Sequence, residues 1–168
     1  MTDVASALRR LERDVFACRI PRALRALWIE LTTVRPEPIW CDDARFTPIE
    51  RADPRSWDAD DERHWLIAQA VVERGLRRDD GGPPLCIFGT AGDGGHAAYH
   101  ALDLTRPRRA WGGLGPVDYP VVLLDEGEPH LRDLVPSSSA WIRFVDERVD
   151  RDEPYDPWEL AESVAQRS

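Results

Sequence analysis

Lysine is missing from this chain: all 22 basic residues are arginine. That reads as a bias towards GC-rich codons and carries no functional inference. Cysteine is scarce and odd in number. Cys18, Cys41 and Cys86 stand too far apart for a CxxC pair, which excludes a disulfide framework and points to reduced thiols in a cytosolic setting. No apolar run approaches the roughly 18 residues that a membrane span needs. The opening Met1-Thr2-Asp3-Val4 has no basic stretch leading into an apolar one, so no export signal is expected and the chain should stay in the cytoplasm. Internal repeats, low-complexity tracts and linkers are also absent. The expectation is one domain over residues 1–168, with a core spanning about 4–150 and a short helical tail.

What the chain has in excess is acid. Aspartate and glutamate number 31, for a net charge of −9 and a pI near 4.9. Binding to nucleic acid or to an anionic membrane rests on Lys and Arg neutralising phosphate, so neither partner is expected. Hydrophobic residues make up 42%, which is enough to build a core and too much for a disordered chain. Between Asp42 and Glu62 the acid concentrates: Asp42, Asp43, Glu50, Asp53, Asp58, Asp60, Asp61 and Glu62 face only Arg45, Arg51 and Arg55. Such a stretch suits a basic partner. Trp40 and Trp57 lie just before it and within it, and aromatics rimmed by charge are typical of interface anchors. Trp40, Asp42, Asp43, Trp57, Asp58, Asp60, Asp61 and Glu62 are therefore the candidate partner-binding residues. The competing reading has the two tryptophans pinning a long loop to the domain.

Periodicity supplies the elements. Val4, Leu8, Leu11, Val15 and Cys18 alternate steps of four and three, one helical stripe, with Thr2 or Asp3 as its cap. A second helix is expected from Pro21, carrying Leu24, Leu27, Trp28 and Leu31 and ending at Arg35-Pro36-Glu37-Pro38. Residues 38–61 read as irregular. A third helix is expected over about Asp58–Arg77, with Trp65, Ala68, Val72 and Leu76 as its buried face. The period then becomes extended. Leu85-Cys86-Ile87-Phe88, the half-buried His96–Leu104 and Pro120–Leu124 read as strands. A serine of Ser137-Ser138-Ser139 should cap a helix with Trp141, Ile142, Val145 and Val149, and Pro157–Gln166 a last short one.

The best candidate for chemistry is Asp93, His96, His100 and Asp103. On one strand His96 and His100 point to the same face, so two imidazoles and carboxylates could gather a divalent metal. The alternative is a hairpin turn at Asp93-Gly94-Gly95 followed by a polar sheet face. Cys86, in an apolar strand, reads as an inert core thiol. No catalytic residue, cofactor or metal is assigned on this basis.

Five segments in order resemble a known family. They are Ile20–Trp28, Ile87–Gly95, His96–Leu104, Pro120–Asp125 and Ser137–Phe144. The first looks like the opening of that family's second helix, the next two like its strand, glycine-rich turn and "yaldl" strand, the fourth like its "PVylld" strand, and the last like its closing helix. On these the chain resembles the SMI1/KNR4 (SUKH) family. The resemblance implies an α+β fold with a single antiparallel or mixed sheet flanked by N-terminal and C-terminal helices. It also implies protein binding rather than catalysis. Bacterial members resemble immunity proteins that neutralise a cognate protein toxin, and eukaryotic members resemble regulatory or scaffold interaction proteins. Both remain open here, beside the metal-dependent enzyme built on His96 and His100.

Overall fold

The computed structural model describes residues 3–34, 39–41, 44–92, 98–109 and 113–168. Asp3 starts the first helix, α1 (Val4–Arg10), by accepting from the Ala5 and Ser6 amides. The chain continues into one wider π-helical turn, Leu11–Val15, so Leu8 and Leu11 stay buried while Val4, Val15 and Cys18 pack against the core edge. Pro21 precedes α2 (Arg22–Val34), on which Leu24 and Trp28 are fully buried. The Arg35–Pro38 stop lies outside the described residues.

The described part of residues 38–61 is more regular than its sequence. It holds two three-residue strands, β1 (Ile39–Cys41) and β2 (Ala44–Phe46), followed by single 3-10 turns at Ile49–Ala52 and Pro54–Ser56. A strand of that length carries too little alternation to be read from sequence. Next come α3 (Glu62–Arg74), capped by Asp61 and ended by left-handed Gly75, then β3 (Leu85–Ala91) and β4 (Ala98–Asp103). A two-residue ribbon, β5 (Arg108–Arg109) with β6 (Val117–Asp118), interrupts the sheet. β7 (Val121–Asp125), β8 (Leu131–Val135), α4 (Ser138–Asp150) and α5 (Pro157–Arg167) complete the chain.

The fold is α+β. Six strands form one antiparallel sheet in the order β1-β2-β3-β4-β7-β8, with helices from both ends of the chain against it. Both faces of its central strands are covered. On one, Cys86, Phe88, Leu102, Val121, Leu123 and Leu134 meet α1, α2, α4 and α5. On the other, Ile87, Ala101, Val122, Leu124 and Leu131 meet Leu66 and Ala70 of α3. Double coverage explains why Val121–Leu124 is a continuous apolar run. It also makes β4 wholly buried, where a half-buried strand was expected. Ser137 caps α4 through the Ala140 amide, and Asp118 of the ribbon accepts from the amides and hydroxyls of both Ser138 and Ser139. Among the described residues no helix is long and apolar enough to cross a membrane.

Candidate functional site

Of the residues with metal-ligating chemistry, Asp93 and His96 lie outside the described residues. The other two do not converge. His100 and Asp103 are three positions apart on β4, an odd step that turns them to opposite faces of the sheet. His100 is enclosed by Phe88, Trp141 and Tyr155. Its Nε2 lies 2.7 Å from the Tyr155 hydroxyl, which also accepts from Trp141 Nε1 at 3.0 Å. Burial pushes the imidazole pKa down to about 3, so it is neutral, and the Tyr155 hydroxyl can donate to Nε2 while accepting from Trp141. Asp103 organises the turn after β4, accepting from the Thr105 amide and hydroxyl and from Arg106, which also reaches Asp133. Among the described residues no group of three or more His, Cys, Asp or Glu could hold a metal ion. Cys86 is fully buried, and burial raises its thiol pKa, as expected of a core thiol.

The candidate partner-binding residues separate. Asp42 and Asp43 lie outside the described residues, and of Trp40 only its place on β1 is described. Trp57 is 9% exposed. Its Nε1 donates to the Arg51 carbonyl at 2.7 Å, the Arg63 guanidinium covers the ring at 4.2 Å, and His64 meets it edge-on. Geometrically Trp57 is the loop pin of the two sequence alternatives. Asp61 caps α3 and pairs with Arg63 at 2.7 Å, a hydrogen bond that holds its carboxyl below the usual range. Glu62 accepts the Tyr99 hydroxyl. Asp58 and Asp60 stand exposed, without an ion-pair partner among the described residues.

One tryptophan expected in the core is outside it. Trp65 is 50% exposed and Val72 79% exposed, and Ala68 between them is exposed too. The buried face of α3 is one residue further on, at Leu66 and Ala70, with Ile67 and Leu76 partly covered. At about 100° per residue the two stripes are neighbours on the helix. Both are apolar, and the small Ala70 side chain lets the helix lie close to the sheet. Trp65 is nonetheless held: its ring meets His130 edge-on at 5.3 Å, and Glu73 fixes His130 through both its amide and its ring nitrogen. An amphipathic reading found that α3 is a helix. Only the contest between its two stripes decides that Trp65 faces out, and no sequence signal resolves that contest.

Beside the first turn of α3 lies a groove of about 590 Å³ lined by Arg45, Thr47, Arg51, Asp61, Glu62, Arg63, Thr90 and Tyr99, with Phe46 and Pro48. Strand register builds its floor. Arg45 pairs with Thr90 and Thr90 with Tyr99, so the three share one face of the sheet, the face that α3 covers further along. These residues lie far apart in the chain, so no motif spacing marks them. The alternation buried Ala44, exposed Arg45, buried Phe46 is the one local cue. No protein-family model, curated protein or solved structure matches the chain.

Proposed function

We propose that this chain is a protein-binding domain of the immunity-protein kind, a divergent SMI1/KNR4-like member that neutralises a basic toxin domain by stoichiometric contact in the cytoplasm. The observation that carries the reading is the outer surface of α3. A half-exposed Trp65, held against His130, continues into Ala68 and Val72, and the exposed Asp58 and Asp60 precede it. A preorganised aromatic with a charged border is the usual make-up of an energetic centre in an interface. The carboxylates would steer a cationic partner and raise its association rate. This keeps the acidic side of the sequence reading and moves the aromatic anchor from Trp57 to Trp65. The ordered family-like segments and the antiparallel sheet flanked by helices support the family part of the reading.

The test is a pull-down from the native host at low and high salt, followed by titration of the captured partner with variants. A basic toxin domain released by salt is expected. Trp65→Ala should weaken its binding by about 2 kcal/mol or more while lowering the melting temperature by no more than about 4 °C. Asp58→Asn with Asp60→Asn should slow association and flatten its salt dependence. Wild-type affinity in Trp65→Ala would remove this surface from the interface. A housekeeping partner in place of a toxin would turn the reading to a regulatory or scaffold domain.

A further inference from the structure

We infer that the groove between β2, β3, β4 and the first turn of α3 binds a small phosphate-bearing molecule, a ligand separate from any partner at the outer surface of α3. Its volume of about 590 Å³ falls in the range of small-ligand sites, roughly 300–1,000 Å³. Three arginines and two carboxylates line it, and their pairing is uneven. Asp61 is taken by Arg63, which is itself fixed over the Trp57 ring. Glu62 is taken by the Tyr99 hydroxyl. Arg45 and Arg51 are exposed and, among the described residues, neither has a carboxylate partner. Three guanidiniums against two carboxylates leave the lining one positive charge in excess, which runs against a chain with 31 acidic residues and a net of −9.

A threonine adds to the set. Thr90 sits between Arg45 and Tyr99 in the strand row. Two guanidinium forks with the Thr90 hydroxyl on the same lining offer more donors than the two oxygens of a carboxylate accept. The terminal oxygens of a phosphate monoester, with a charge near −2, match them better. A nucleic-acid polymer does not fit the same chemistry, because its neighbouring phosphates would meet the acidic remainder of the surface.

The experiment is amide chemical-shift titration of the full chain at low salt with AMP, inorganic phosphate and acetate. AMP and inorganic phosphate should shift the amides of Arg45, Arg51, Thr90 and Tyr99 and saturate below about 10 mM; acetate should not. Arg45→Gln and Arg51→Gln each remove one fork from an exposed position, and each should weaken AMP by about tenfold while leaving the melting temperature unchanged. The inference is overturned if AMP gives no saturable shift in that range. It is equally overturned if both arginine variants bind AMP as the wild type does, or if acetate saturates the same amides as tightly as AMP.

Discussion

His100 gives this fold a defined sensitivity to acid. Its ring is fully buried among Phe88, Trp141 and Tyr155. Burial lowers its pKa from an ordinary 6.5 to about 3 in the fold. Below 6.5 the unfolded chain therefore takes up a proton that the folded chain refuses, so stability must fall as the pH falls, until the folded value is reached. Above 6.5 both states are neutral there and the effect vanishes. With these two values the loss at pH 5 is about 2 kcal/mol, growing by about 1.4 kcal/mol for each further pH unit. The measurement is urea unfolding of the wild type and of His100→Gln from about pH 7.5 to about pH 5, before most carboxylates titrate. The variant cannot take up the proton in either state, so the difference between the two stability curves isolates His100 whatever the variant's absolute stability. The wild-type curve should drop by about 2 kcal/mol more than the variant curve. Parallel curves would refute the reasoning, and would mean that His100 accepts a proton within the fold.

The two tryptophans of the α3 region should differ in stability as they differ in burial. Trp57→Ala removes a core ring, its hydrogen bond to Arg51 and its stack with Arg63, and should cost about 3–5 kcal/mol in chemical unfolding. Trp65→Ala should cost less than about 1 kcal/mol, and a comparable loss in both would sink the assignment of pin and surface residue. At Gly89, where the β3 register shifts opposite His100, a Cβ would stand 2.7 Å from the Arg45 carbonyl oxygen. Gly89→Ala should push β2 away, cost about 1–3 kcal/mol and speed amide exchange in Ala44–Phe46. Unchanged exchange would mean that β2 follows the displacement freely.

Much of the fold was legible because its signals are local. Pro21 before α2, the Pro120–Leu124 run, the serine cap of α4 and Pro157 at the start of α5 each act over a few residues, and each element stands within one or two residues of its expected place. What escaped depends on pairing. β8 carries Arg132 and Asp133 at its centre, and those charges hide a strand whose Asp133 is met by Arg74 and Arg106. β1 and β2 are too short to show a period. The buried face of α3 was misplaced by one residue because two adjacent apolar stripes compete, and only the sheet beneath selects Leu66 and Ala70 over Trp65 and Val72. At the candidate sites, charge was legible in the Asp42–Glu62 stretch, whereas the Arg45–Thr90–Tyr99 row exists only through register.

The two faces of α3 answer to different constraints. Leu66 and Ala70 are pressed on a sheet already covered on its far side, so their size is dictated by the core. Trp65, Ala68 and Val72 touch little of it. Side chains on that outer stripe can therefore be exchanged at small cost to folding, and a new recognition surface can arise there without rebuilding the scaffold. Two chains could share this architecture and still present different outer surfaces.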